Sequence, residues 1–254
     1  MQCKICGTTT EDFDEAVMLS QYCVHYYLCP NCGFIQTEEP YWLDEAYSDA
    51  IVDSDIGLVG RNVFLSNKVA AILSFCLPQC KSFLDYGGGY GIFVRLMRDA
   101  GFDFEWYDRY CENFFAKHFE KKKDHYDMVT AFELFEHLPN PIDEIRNIIS
   151  LGDNILFSTA LVPTPTPKIS DWWYYAPFVG QHISFYTEKS LQHLAKKFDC
   201  HYVGYRDLHI FSKHPINRKR LFIAIQLASW INRVKRRKSL LGVDYKKITR
   251  VDLG

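Results

Sequence analysis

The stretch FLDYGGGYGIF, residues 83–93, constrains this chain more than any other. An apolar run ends in Asp85, glycines follow at 87, 88, 89 and 91, and an apolar segment resumes at Ile92. The pattern is a strand that turns through a glycine loop into a helix. Glycine lets backbone approach a ligand where a Cβ would clash. In an open parallel sheet, ligands bind beyond the carboxyl ends of the strands, so this turn is a candidate site. A P-loop is excluded, because no Gly-Lys-Ser/Thr follows. The dinucleotide pattern G-x-G-x-x-G also fits poorly. Started from Gly87 and Gly89, its last glycine falls on Ile92; started from Gly89 and Gly91, it falls on Val94.

Strand and helix patterns alternate around this loop. Helices are expected over 57–73, 92–101, 141–150 and 187–198, the last with Thr187 as N-cap. Strands are expected over 82–86, 102–110, 126–134, 154–161 and 200–205. The segment 162–168, VPTPTPK, must be a loop, since its prolines cannot enter a ladder. Such alternation means βαβ units and a mostly parallel sheet. Apolar residues make up 48% of the 254, enough for one large α/β domain with small additions.

The spacing that does fit the loop is Asp85-x-Gly87-x-Gly89-x-Gly91, which resembles the first motif of class I S-adenosylmethionine (SAM)-dependent methyltransferases. Asp108 follows 23 positions after Asp85, at the end of the next strand, where a carboxylate suits the ribose hydroxyls of a nucleoside. The segment YDMVTAFELFEHLPNP, 126–141, resembles the fourth-strand segment of the same family, with Asp127 at its start and Glu136, His137 and Leu138 before the prolines. The resemblance covers roughly residues 80 to 205. It implies that Phe132, Glu133 and His137 serve the cofactor, and that Phe114 and Phe115 flank adenine. The family's third strand is barely visible, because residues 111–125 are polar.

CKIC (3–6) and CPNC (29–32) are two C-x-x-C knuckles with 22 residues between them. Thiolates of Cys3, Cys6, Cys29 and Cys32 at that spacing suit one tetrahedral, structural Zn²⁺. Cys23 and His25 lie between and could compete as ligands. Only Lys4 is basic before residue 40, so phosphate binding by this module is not expected. A zinc ribbon ahead of such a domain resembles deoxysugar C-methyltransferases and their relatives in bacterial surface-glycan pathways. WLDEAYSDAI and DIGLVGRN, within 42–62, look like their connecting segment, which implies Tyr47 over the SAM pocket and Asn62 near its carboxylate end.

DWWYYAPFVGQHISFYTEKS, 171–190, sets four consecutive aromatics after the proline loop. Aromatic faces stack on sugar rings, and nearby polar groups offer hydrogen bonds. Trp172, Tyr175, Gln181 and Tyr186 are therefore expected to contact the acceptor. His182 is the loop's one base active near neutral pH and is expected to act as general base.

The formal charge is −2, but it is unevenly spread. Arg218 to Arg250 carries eleven Lys or Arg and a single acid, Asp244. This tail reads as an apolar helix flanked by cations, suited to an anionic membrane surface, to a glycosyltransferase contact, or to docking on the domain. No apolar run reaches the roughly 20 residues of a membrane span. No signal peptide is read at the start, which favours a cytoplasmic protein, with peripheral association at the inner membrane as an option.

The expected fold is α/β: a Rossmann-like class I methyltransferase domain with an N-terminal zinc ribbon and a C-terminal basic helix. The expected segments are a ribbon at 1–40, a helical connection at 41–80, a SAM-binding domain at 81–212 and the basic extension at 213–254. The expected function is SAM-dependent methyl transfer to a sugar, free as a nucleotide sugar or within a surface glycan, O-methylation being favoured slightly over C-methylation. Nucleic acid is not the favoured partner. Two alternatives stand: a non-catalytic zinc-ribbon protein on a degenerate scaffold, and an RNA methyltransferase using the basic tail.

Overall fold

The computed structural model describes residues 1–48 and 55–251. In chain order its elements are β1 (Glu11–Met18), β2 (Tyr22–Leu28), β3 (Ile35–Thr37), α1 (Leu43–Ala46), α2 (Leu58–Phe75), β4 (Phe83–Tyr86), α3 (Ile92–Asp99), β5 (Phe104–Tyr107), β6 (Met128–Ala131), α4 (Pro141–Ser150), β7 (Asn154–Ser158), β8 (Ser184–Phe185), α5 (Glu188–Lys197), β9 (His201–Tyr205), β10 (Leu208–Ser212), α6 (Arg218–Gln226), α7 (Ala228–Val234) and α8 (Leu241–Thr249). Six strands form one sheet in the order β5-β4-β6-β7-β10-β9, and β1-β2-β3-β8 form another. β4 runs parallel to both β5 and β6, while β9 and β10 are an antiparallel hairpin. This is the α/β, Rossmann-like sheet expected from the alternating pattern.

Two compact units account for the chain. One comprises Met1–Val52, Ala131–Ser150 and Ile155–His214; the other comprises Asp53–Thr130, Leu151–Asn154 and Pro215–Gly254. In the first unit, β2 alternates buried Val24 and Tyr26 with exposed Cys23 and His25, the period of a half-buried strand. Its core joins Met18, Val24, Tyr26, Ile35 and Trp42 to Tyr174, Tyr175, Ile183 and Phe185. Ile35 pairs with Phe185 and Gln36 with Ser184, so the Cys-rich segment shares a sheet with residues from the far end of the aromatic loop. Thr187 caps α5 by accepting from the Ser190 N–H at 3.1 Å, and the Ser190 hydroxyl receives the Thr187 N–H in return.

In the second unit, α3 starts directly after the glycine loop and buries Phe93, Val94 and Met97 on one face. The missing third strand is reduced to a single bridge, Trp106 to Glu120, since polar residues before and after it cannot sustain a buried ladder. The basic tail is not the one helix expected from sequence but three, α6, α7 and α8. Its single acid is the anchor of the last. Asp244 is buried and takes Arg98 Nε at 2.8 Å and Arg98 Nη2 at 2.6 Å, with Arg95 at 2.9 Å. Arg98 also donates to the Phe104 carbonyl and lies 3.7 Å over the Phe119 ring.

Burial pushes the Asp244 pKa up, but Arg98 and Arg95 outweigh it and the net shift is down. Its contribution is therefore complete above the ordinary carboxylate range and is lost as pH falls through the lowered value. Asp244→Ala removes one of the two carboxylates on the buried Arg98 and leaves it Asp103, so a loss of about 1.5–3 kcal/mol in urea unfolding at pH 7 is expected.

Candidate active site

The glycine loop belongs to the second unit. Gly87, Gly89 and Gly91 all have positive φ, and a Cβ on Gly88 would stand 2.6 Å from the Trp106 ring. Asp85 ends β4 and is buried, with the Thr130 hydroxyl donating to it at 2.6 Å. Burial raises its pKa to about 7, against the opposing Thr130 hydrogen bond, so an incoming cation would draw it into the charged form.

Asp108 stands just beyond β5. Its Oδ2 accepts the Gly89 N–H at 2.9 Å, and its Oδ1 accepts those of Tyr110 at 2.7 Å and Cys111 at 2.8 Å. The carboxylate thus ties the glycine loop to the turn after β5, and Oδ2, holding one donor, keeps capacity for another. Asn62 lies on α2 and donates to the Leu58 carbonyl of its own helix at 2.8 Å. Phe114 and Phe115 are exposed, and their N–H groups both bond to the Tyr90 carbonyl at the end of the glycine loop. Residues 49–54 of the connecting segment lie outside the described residues.

A second polar cluster lies wholly within the first unit. Its frame is the turn after β6. Glu133 has φ of +48°, an uncommon backbone for a non-glycine residue and one that tends to mark functional sites. It is held there by Ser158, which receives the Glu133 N–H at 2.9 Å and donates to Oε1 at 2.5 Å. Phe132 precedes it, half-buried. The next turn, Phe135–His137, brings Glu136, His137 and, from the aromatic loop, His182 together. One ligand-type atom from each lies within 4.8 Å of the others. Tyr47 joins them, its hydroxyl 3.0 Å from His137 Nδ1. The two histidine rings meet edge to face at 4.9 Å.

His182 Nδ1 lies 2.6 Å from the Tyr174 carbonyl. A carbonyl only accepts, so Nδ1 carries the proton and Nε2 presents the lone pair. Burial lowers the His182 pKa, the Tyr174 contact opposing it only in part, so the ring is neutral at pH 7.

Glu136 has no exposed surface, and neither carboxylate oxygen makes a protein hydrogen bond of normal geometry. Burial, and then the charge of Glu133, raise its pKa to about 8, although the Tyr174 and Thr159 hydroxyls favour the ionised form. A buried carboxyl left this way carries a desolvation cost that a bound donor would relieve. The sequence motif marked Glu136, but nothing in it foretold complete burial, nor that Tyr174 would position His182. Glu136, His137 and His182 also resemble the donor set of a divalent cation. Nε2 of His182 cannot hold a metal and accept a proton at once, so the two uses exclude each other.

The expected acceptor contacts divide. Trp172 is half-buried against Tyr174, Tyr175 and Phe185. Tyr175, Gln181 and Tyr186 are buried, and their polar ends serve backbone carbonyls: Tyr175 that of Pro167 at 3.2 Å, Gln181 that of Ala46 at 2.7 Å, Tyr186 that of Phe135 at 3.0 Å. In this geometry the polar ends of the three brace the loop against the backbone. Packing decides this, since a buried hydroxyl or amide must find a fixed partner.

The knuckles bring Cys3, Cys6, Cys29 and Cys32 together, with all four sulfurs within 4.8 Å. Cys3 and Cys32 are 3.6 Å apart, Cys6 and Cys29 3.4 Å, far beyond a disulfide bond and near the ~3.8 Å edge of a tetrahedron of Zn–S bonds. The N–H groups of Ile5 and Cys32 point at Cys3 and Cys29 sulfurs, each at 3.4 Å. The hydrogen bond shared by Cys3 and Cys32 lowers the Cys3 pKa to about 5 and raises that of Cys32. The donor set and spacing fit a structural metal. Cys23 and His25, exposed on β2, are not part of the cluster.

A parallel-sheet core, a glycine turn after β4 and an acid after β5 define the class I SAM-dependent methyltransferase fold. The chain belongs to the methyltransferase domain family, whose model matches residues 61–204. Comparison with curated protein sequences found no match. Among solved structures, TnmH is similar with a TM-score of 0.50 at 16% identity, over 69% of this chain and 62% of that one. An O-methyltransferase family 2 protein from Planctomyces limnophilus, in complex with apigenin, has a TM-score of 0.48 at 16% identity, over 68% and 65%. The plantazolicin methyltransferase BpumL, in complex with SAH, has a TM-score of 0.49 at 13% identity, over 77% and 90%. The chain thus spans less than two thirds of the length of the first two.

Proposed function

We propose that this protein transfers the methyl group of SAM to a hydroxyl of a sugar acceptor, with His182 as general base. The family match supports SAM-dependent methyl transfer. The observation that carries the base is the hydrogen bond from His182 Nδ1 to the Tyr174 carbonyl, which turns an uncharged Nε2 lone pair outward from that bond. When bound, SAM supplies an electrophilic methyl group on a sulfonium.

The chain's own residues do the rest. Gly87 and Gly89 shape the loop that admits the nucleoside, and Asp108 offers Oδ2 to the ribose. Asp85 supplies a carboxyl that ionises beside a cation. Tyr47 and His137, joined to each other, and Phe132 and Glu133 on the Ser158-braced turn, serve the methionine part. Asn62 serves its carboxylate end once its amide leaves the Leu58 carbonyl. A sugar hydroxyl is a poor nucleophile until its proton is removed, and His182 Nε2 would take that proton as the methyl group leaves sulfur for the hydroxyl oxygen. Trp172 offers a half-buried ring face to the sugar. A Zn²⁺ held by Cys3, Cys6, Cys29 and Cys32 would be structural, since four thiolates leave no open position.

Calorimetric titration with S-adenosylhomocysteine tests the cofactor half. Micromolar binding is expected, weakened at least about tenfold in Asp108→Ala, because the variant loses both the ribose acceptor and the brace on Gly89. No binding by folded, metal-loaded protein would overturn the enzyme reading and leave a binding protein on this scaffold.

A further inference from the structure

The tail helices carry two apolar faces, and the domain uses one of them. Leu221, Ala224, Ile225, Ala228 and Ile231 are buried, with α2 the main neighbour of both α6 and α7. Lys68 of α2 donates to the Ile225 carbonyl, and Asn232 to that of Asn67. Ile223, Leu227, Trp230 and Val234 form a second stripe at i, i+4, i+7 and i+11. It continues across the junction, because the Leu227 N–H bonds to the Ile223 carbonyl and the Ile231 N–H to the Leu227 carbonyl. This stripe faces solvent: Leu227 is 50% exposed, Trp230 63% and Val234 63%.

Cations stand at both ends of the stripe, Arg218, Lys219 and Arg220 before it and Arg233, Lys235, Arg236, Arg237 and Lys238 after it. No Asp or Glu occurs between residues 215 and 243. Arg220 and Arg237 cover the Phe75 and Phe102 rings of the same unit. We propose that α6 and α7 form a peripheral docking surface for an anionic lipid bilayer, with the Ile223–Val234 stripe in the headgroup–acyl boundary and the flanking cations on lipid phosphates.

The pairing of chemistries selects this occupant. Eight cations without an acid call for an anionic partner, and a row of Ile, Leu, Trp and Val beside them calls for an apolar one. A bilayer interface offers both in adjacent layers. A nucleic acid offers phosphates but nothing to cover an aliphatic stripe. No helix among the described residues is long and apolar enough to cross a membrane, so the contact is a surface one.

Co-sedimentation of the full chain with vesicles tests the proposal. Binding is expected to vesicles holding about one-third phosphatidylglycerol, and little to pure phosphatidylcholine. In the double variant Leu227→Glu, Trp230→Glu, partition should fall at least about tenfold while the thermal midpoint and S-adenosylhomocysteine affinity stay unchanged, since both residues face solvent. Reversing Lys235 and Arg236 to Glu should weaken binding to the anionic vesicles without touching the stripe.

Failure to bind anionic vesicles would overturn the proposal. So would equal binding by the Leu227/Trp230 variant, which would reduce the surface to charge alone. Light scattering that shows a dimer, dissolved by the same variant, would assign the stripe to a second copy instead. Tighter binding to single-stranded RNA than to the vesicles would assign the cations to nucleic acid. None of these outcomes bears on cofactor binding, which the S-adenosylhomocysteine affinity reports separately.

Discussion

His182→Ala is expected to lower kcat for the sugar acceptor by about 10²- to 10⁴-fold, the usual contribution of a positioned general base. Its S-adenosylhomocysteine affinity should stay near that of the unaltered protein. The split separates a base from a residue that merely anchors the aromatic loop: loss of an anchor would also lower stability and disturb the packing around Tyr174. The pH profile adds a second readout. A base must be unprotonated, and burial lowers the His182 pKa from its ordinary 6.5. The acidic limb of kcat should therefore fall below pH 6.5, with the base fully available at pH 7. Activity after prolonged chelation at the Glu136, His137 and His182 cluster decides between base and metal. Full activity with no bound cation there supports the base. Activity restored only by a divalent ion, in protein shown to have kept its four-cysteine zinc throughout, would assign Nε2 to a metal instead.

The second large effect is expected at the Cys knuckles, even though they carry no chemistry of the reaction. Cys29→Ser should abolish stoichiometric zinc binding, read by elemental analysis, and should loosen more than the knuckles. A structural zinc site contributes about 10–16 kcal/mol of binding free energy, which small modules need in order to fold. Here the module shares a sheet with the end of the aromatic loop. Residues Ile35 and Gln36 of β3 pair with Phe185 and Ser184 of β8, three and two positions beyond His182, and the Thr187 hydroxyl donates to the Cys32 carbonyl at 2.6 Å. We therefore expect Cys29→Ser to raise proteolysis within 1–40 and to reduce methyl transfer together, with the Gly87–Gly91 loop still binding S-adenosylhomocysteine. Loss of zinc with unchanged activity would show that the β3–β8 pairing is stable without the metal.

Much of the fold was legible because its signals are local. The Gly87–Gly91 turn, the cap at Thr187 and Pro141 at the first position of α4 each depend on a few adjacent residues, and the structure places helices and strands where those signals put them. β10 was not anticipated, although all five of its residues are buried. A strand buried on both faces, with the polar His209 and Ser212 among its five residues, has no apolar–polar alternation to read, and it follows β9 after a two-residue turn. The tail was read as one helix because its apolar residues run on, whereas Leu227 and residues 235–240 divide it into three.

The chemistry divides in the same way. From sequence alone came the glycine loop with Asp85 and Asp108, the four cysteines at metal spacing, and the choice of His182 as the base to propose, since each rests on residue type and spacing. Tertiary structure alone decided which atom of His182 carries the proton. It also decided that Glu136 is wholly buried, that Tyr175, Gln181 and Tyr186 bond backbone carbonyls, and that Asp244 anchors the tail through Arg98. The reason is physical. A side chain's type is written in the sequence, but the availability of its polar atoms depends on whichever donors, acceptors and charges distant parts of the chain bring within about 3 Å, and on how much water they exclude.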